Sequence, residues 1–177
     1  TYDKDYNEES KIAFLMKGNY VVNSWKGSIK VDFYLIKGIV ESILDYLGFK
    51  NRYSFVKGTV NDLHPGIAAD ILLDRKRIGI VGRVHPKTCS DEVYVCELSL
   101  NALMTKVKPL KYKEASKYPT IVKDVAFIVP KDMPSSEVES VIKKSGGRLL
   151  NDIKVFDVYE KLDNDKKSIA YNLTFMD

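Results

Sequence analysis

Two short segments near the end of the chain hold the side chains with the most chemistry to offer. Phe156-Asp157-Val158-Tyr159 is followed, across the polar stretch Asp163-Asn164-Asp165, by Lys167-Ser168-Ile169-Ala170-Tyr171. Each segment alternates as a strand does, so each has a face that is not core. On that face the pattern offers Asp157 and Tyr159 beside Ser168 and Ala170. An aromatic ring, a carboxylate and small neighbours on an open sheet face form a platform for an unstacked nucleotide base: the ring stacks and the carboxylate accepts from the base edge.

The strands that must carry these residues pose a parity problem. Ile169, Tyr171, Leu173 and Phe175 share one face, and Ser168, Ala170, Asn172 and Thr174 share the other; the first set is the core face. In the preceding strand, Ile153 and Val155 have the same parity as Asp157 and Tyr159, whereas Phe156 and Val158 have the opposite one. A regular strand cannot bury both apolar sets on one side. A bulge near Val155-Phe156 resolves the conflict and turns Asp157 and Tyr159 outward.

Other chemistry finds little support. Gly79-Ile80-Val81-Gly82 lacks the lysine and hydroxyl of a phosphate loop, and no nucleophile elbow is present. His64-Pro65-Gly66 and His85-Pro86 contain the only histidines, without a third ligand for a metal, and read as turn and strand-end positions. Asp163-Asn164-Asp165-Lys166-Lys167 lacks the glycine and terminal glutamate of a calcium loop and reads as a hairpin turn. Cys89 and Cys96 fit no metal or redox spacing; two packed thiols suit a reducing cytosol. No catalytic residue, metal site or cofactor site is expected.

The rest of the sequence reads as an α+β chain in two modules. In residues 1–104, a strand is expected over Ile12–Met16. A helix follows over Phe33–Leu47, with Asp32 as N-cap and Gly48 just past its end. Ile36, Val40, Ile43, Leu44 and Leu47 form its apolar stripe. Strands follow over Tyr53–Val60, Ala68–Leu73, Ile78–Val84 and Val93–Leu98, with Asp74-Arg75-Lys76-Arg77 as a hairpin tip and Ser99 capping a short helix through Leu103. Residues 105–117 form a lysine-rich linker of net charge +4, equal to the net charge of the whole 177-residue chain. A second module, 118–177, has a strand over Val125–Val129 and a helix opened by a capping box of Ser136 and Glu139. Val138, Val141 and Ile142 give that helix its buried face, and Gly146-Gly147 ends it. The strands Ile153–Tyr159 and Ser168–Phe175 complete the order β-α-β-β, the first part of a ferredoxin-like βαββαβ unit. That unit is read as incomplete at Asp177, and the opening Thr1-Tyr2, without Met, reads as part of a longer chain.

Composition is that of a globular protein, 45% hydrophobic and 29% charged. No apolar run reaches the ~18 residues of a membrane span, and no signal-peptide core is seen near the start.

The second module resembles the ferredoxin-fold anticodon-binding domain of the bacterial phenylalanyl-tRNA synthetase beta subunit. The resemblance rests on Tyr118-Pro119, Lys123-Asp124-Val125-Ala126-Phe127-Ile128-Val129, Phe156-Asp157-Val158-Tyr159, and Lys166-Lys167-Ser168-Ile169-Ala170-Tyr171 with Leu173-Thr174-Phe175. The first module resembles the catalytic-like, class II synthetase-type region of the same subunit. That likeness lies in Val31-Asp32-Phe33-Tyr34 with Ile36-Lys37-Gly38, in Leu63-His64-Pro65-Gly66, and in Arg77 to Gly82 with His85-Pro86. The resemblance implies a non-catalytic part of a cytoplasmic phenylalanine-tRNA ligase, an ATP- and magnesium-dependent enzyme of two alpha and two beta chains. It implies the alpha subunit and phenylalanine tRNA as partners, with Asp157, Tyr159, Ser168 and Ala170 as anticodon contacts and no cofactor in this part. The competing expectation is a free-standing ferredoxin-like protein-interaction module that docks through the Phe33–Leu47 helix.

Overall fold

The computed structural model describes residues 8–24, 27–58, 60–105, 119–162 and 165–176. The basic stretch 106–118, which holds nearly all of the expected linker, lies outside the described residues, as do Asp163, Asn164 and Asp177. The chain divides into two compact units, Thr1–Lys111 and Tyr112–Asp177.

In the first unit the strands are β1 (Lys11–Lys17), β2 (Asn19–Ser24), β3 (Gly27–Lys30), β4 (Tyr53–Lys57), β5 (Leu63–Leu73), β6 (Lys76–Val84) and β7 (Val93–Ser99). The helices are α1 (Phe33–Tyr46) and the single turn α2 (Leu100–Leu103). Five strands form an antiparallel sheet in the order β1-β7-β6-β5-β4, and β2 and β3 form a separate hairpin. α1 begins as expected: Asp32 is extended, and its Oδ1 accepts from the Leu35 N–H at 2.7 Å. Past its end, Gly48 takes φ 83°, a conformation that costs glycine little. Ile36, Val40 and Leu44 are completely buried in a core that includes Ile71, Val81, Cys96 and Leu98 of the sheet. Each such side chain contributes about 1.5–3 kcal/mol. The apolar stripe of α1 therefore packs on the unit's own sheet.

The β5–β6 hairpin turns more tightly than the four-residue tip expected. Asp74 and Arg75 alone make the turn, at φ 47° and 69°, the double left-handed conformation that matches strand twist. β5 also begins earlier than expected and contains His64-Pro65-Gly66, at an irregularity where the pairing with β6 jumps from Leu63↔Val84 to Ala68↔Gly82. Pro65 has no N–H to give a ladder, and the Gly66 N–H turns to Nδ1 of His64 at 3.1 Å. The short helix forms at Leu100–Leu103, but Ser99 makes no side-chain cap bond.

In the second unit the elements are β8 (Ile121–Pro130), α3 (Ser135–Gly146), a 3₁₀ turn at Gly147–Leu149, β9 (Leu150–Leu162) and β10 (Lys166–Phe175). The sheet order is β8-β10-β9, with β10 antiparallel to both neighbours. β8 and β9 therefore run parallel with β10 inserted between them, the split βαβ arrangement. Among the described residues, β8 has no partner on its outer edge.

Val129, Val138, Ile142, Ile169, Tyr171 and Leu173 form the core of this unit. Tyr171 is completely buried, yet its hydroxyl lies 3.1 Å from Ser135 Oγ, so the polar tip is satisfied. That contact corrects two expectations about α3. The helix starts one residue early, with Pro134 at the cap position and no side-chain cap, so the box of Ser136 and Glu139 does not form. Proline fixes φ near the value that leads into a helix, and Ser135 instead bonds Glu139 Oε1 at 2.8 Å. Val141, expected in the buried face, is 62% exposed. The contact stripe is the narrow pair Val138 and Ile142, one turn apart, and Val141 lies to one side of it.

Two predictions concern the first unit. A Cβ on Gly79 would fall 2.1 Å from the Glu97 carbonyl oxygen of the neighbouring strand, whereas one on Gly38 of α1 would meet nothing within 4 Å. Gly79→Ala should therefore destabilise by at least about 1–3 kcal/mol, and Gly38→Ala should stabilise by about 0.5–1 kcal/mol; equilibrium urea unfolding followed by circular dichroism reads both. Burial pushes the Cys96 thiol up to about 12, while Cys89 is only partly buried. The thiolate is the reactive form, so iodoacetamide at pH 8 should label Cys89 in the folded protein and reach Cys96 only after unfolding, as mapped by peptide mass spectrometry.

Candidate nucleic-acid interface on the second sheet

The pairing between β9 and β10 contains the irregularity that the parity argument requires. Tyr171 pairs with Val155 and Ala170 with Asp157, so Phe156 is an extra residue with no partner. On the N-terminal side of this bulge, Ile153 lies opposite Leu173 and Val155 opposite Tyr171, on the helix-covered face. On its C-terminal side, Asp157 lies opposite Ala170 and Tyr159 opposite Ser168, on the open face. The four residues singled out from sequence thus form two adjacent cross-strand pairs on one surface.

Each position follows from local causes. Ser168 and Ala170 face outward because Ile169, Tyr171 and Leu173 between and beyond them are buried. Asp157 follows directly after the bulged residue, where a buried carboxylate would have cost several kcal/mol unless paired. Tyr159 is 50% exposed on this open face, and Phe156 at the bulge is 58% exposed.

β8 adds a third column that the sequence reading did not include. Ile128 lies opposite Ser168, Ala126 opposite Ala170, and Asp124 opposite Asn172. The open face therefore consists of rows across the sheet: Tyr159, Ser168, Ile128; then Asp157, Ala170, Ala126; then Lys154, Asn172, Asp124. In the third row Asn172 Nδ2 donates to Asp124 Oδ1 at 2.8 Å, which engages that carboxylate and leaves Asp157 the carboxylate nearest the rings. Lys166, opposite Pro130, is on the same face beyond Ser168. The signal for this column was the topology itself: in a split βαβ unit the first strand borders the third, so alternate residues of Val122 to Ile128 share the face.

The chemistry available here is recognition. The small side chains of Ser168, Ala170 and Ala126 leave a low floor, the rings provide stacking surface, and an ionised Asp157 offers acceptors only. Among the described residues no cluster of His, Cys, Asp and Glu could hold a metal ion. In the first unit, Nδ1 of His85 accepts the Lys87 N–H at 3.1 Å, as Nδ1 of His64 accepts that of Gly66. Both imidazoles close local backbone turns around a proline. Lys57, Asn61, Leu63, Pro65 and His85 line an open hollow of about 400 Å³. No helix among the described residues is long and apolar enough to cross a membrane.

Comparison with known proteins matches each unit to a domain family. The ferredoxin-fold anticodon binding domain matches residues 116–177, and the phenylalanyl tRNA synthetase beta chain CLM domain matches residues 1–100. The phenylalanine–tRNA ligase beta subunit of Bacillus subtilis (strain 168) is 40% identical over 177 residues, covering 96% of this chain and 22% of the relative. The corresponding subunit of Shouchella clausii (strain KSM-K16) is 36% identical over 176 residues, covering 95% of this chain and 22% of its own. That of Listeria monocytogenes serovar 1/2a is 37% identical over 178 residues, covering 96% and 22%. The chain thus spans about a fifth of the length of the curated relatives it matches. Matched over its first unit by the CLM domain and over its second by the anticodon-binding fold, the chain belongs to the phenylalanyl tRNA synthetase beta chain family.

Proposed function

We propose that this chain is a non-catalytic part of a phenylalanine–tRNA ligase beta subunit, and that its second unit binds the anticodon of phenylalanine tRNA. The observation that supports this most is the outward pairing of Asp157 with Ala170 and Tyr159 with Ser168 beside the Phe156 bulge. Tyr159 stacks on an unpaired base, Asp157 accepts hydrogen bonds from donors on that base's edge, and Ser168 and Ala170 let the base approach the sheet. Domain limits of 1–104 for the catalytic-like, class II synthetase-type module and 118–177 for the anticodon-binding one, joined by the basic linker 105–117, complete this reading. The first module supports assembly with the alpha subunit in a cytoplasmic tetramer of two alpha and two beta chains. The alpha subunit then supplies the active site and its use of ATP and magnesium, with no cofactor held by this part.

The test uses the assembled alpha–beta enzyme. A stacked base is worth about 1–3 kcal/mol, so Tyr159→Ala should raise the KM for phenylalanine tRNA by about 5- to 150-fold. The rate of phenylalanine activation by ATP, measured without tRNA, should not change. An unaltered tRNA KM would remove Tyr159 from the interface and overturn the reading of this face.

A further inference from the structure

We infer that Ile128 is the second wall of a one-base slot, so that the base stacked on Tyr159 is held between two side chains and not on one. This rests on the anticodon-binding reading and extends it to a residue on a different strand. Ile128 and Tyr159 stand in the same row, each directly opposite Ser168, one on β8 and the other on β9. Ile128 is 67% exposed, on the face away from the core of its unit. A β-branched apolar side chain so exposed contributes little to folding at this position, where the buried set of the strand is Val129 with Val125 packed beside it.

The dimensions suit a single base. Neighbouring strands lie about 4.7–4.9 Å apart, so side chains two strands apart rise roughly 9–10 Å from each other. A flat ring in van der Waals contact on both faces, at about 3.5–4.0 Å each, occupies roughly 7–8 Å. Between the two walls the floor is Ser168, with Ala170 and Ala126 in the next row. Larger side chains there would fill the slot. Asp157 stands at the edge of the same floor, where a base inserted between the walls presents its hydrogen-bonding edge. Lys154 and Lys166 lie on this face at opposite ends of these rows, placed to meet the phosphates of a strand that crosses them. A flat protein partner would not need a slot one ring wide with a carboxylate at its edge and a lysine at each end.

The experiment again uses the assembled alpha–beta enzyme and phenylalanine tRNA. Ile128→Ala should raise the tRNA KM three- to tenfold with kcat unchanged, and Ile128→Val should stay within twofold of wild type. Ile128→Trp, which fills the slot, should raise the KM at least as much as Tyr159→Ala. Because both walls hold one base, the double variant Ile128→Ala, Tyr159→Ala should raise the KM by less than the product of the two single-variant fold-changes. A tRNA KM unchanged by Ile128→Ala and Ile128→Trp, with Tyr159→Ala still impaired, would overturn the second wall and leave the anticodon-binding reading standing. Failure of Tyr159→Ala as well would overturn both. Weakened assembly with the alpha subunit, seen by size exclusion with an unchanged tRNA KM, would assign Ile128 to a protein interface and likewise overturn the slot.

Discussion

One unpaired residue decides which side of the second sheet meets solvent. Side chains on a strand alternate strictly, so a single extra residue exchanges the faces of everything beyond it. Phe156 is that residue. Without it, Asp157 and Tyr159 would follow Ile153 and Val155 onto the side covered by α3, and a carboxylate would enter an apolar core. With it, Ile153 before the bulge packs against the core while Asp157 and Tyr159 after it lie on the open face. The energy that fixes the bulge is therefore the ordinary energy of the core: burial of apolar surface on one side of the irregularity and avoidance of a desolvated charge on the other. The site is a by-product of satisfying both.

β10 transmits this constraint across the sheet. It is the central strand, paired along its whole length with β8 and, around the bulges, with β9. One of its faces holds Ile169, Tyr171 and Leu173, all buried, with the Tyr171 hydroxyl tied to Ser135 at the start of α3. Its other face holds Ser168, Ala170 and Asn172. Tight packing on one side thus fixes the position of small residues on the other to within the rigidity of the backbone. A surface built on paired strands in this way is preorganised, with its side-chain positions set before anything meets it.

What could be read from the sequence, and what could not, follows the same physics. The bulge was legible because two apolar sets of opposite parity competed for one core, a contradiction visible in the letters alone. α1 was legible because Asp32, the stripe Ile36, Val40 and Leu44, and Gly48 agree at every level. The β2–β3 hairpin was not foreseen: Tyr20 and Ile29 are both exposed, so no buried face imprints a period on the segment. The start of α3 was misplaced because Ser136 and Glu139 have capping-box spacing, while the competing partner of Ser135, Tyr171, lies 36 residues away and could not be seen locally. Ala126 and Ile128 escaped notice for a related reason. Their relation to Tyr159 runs through a strand that neither one adjoins in sequence, and only the sheet order supplies it.

The two units use their polar residues in contrasting ways. In the first, His64 and His85 close backbone turns, Arg77 pairs with Asp70 at 2.8 Å, and Lys11 pairs with Glu97 at 2.9 Å. Such exposed pairs each contribute little, about 0–1 kcal/mol, and they engage groups that would otherwise be open to a ligand. The glycine at 79 shows the same closure in the backbone: β6 and β7 approach so closely there that no side chain fits. In the second unit, among the described residues, Asp157 has no ion pair, Tyr159 and Ile128 are open, and the floor between them is kept low by Ser168 and Ala170. Ile128 and Tyr159 keep apolar surface in contact with water on this face, a cost that no neighbour among the described residues relieves.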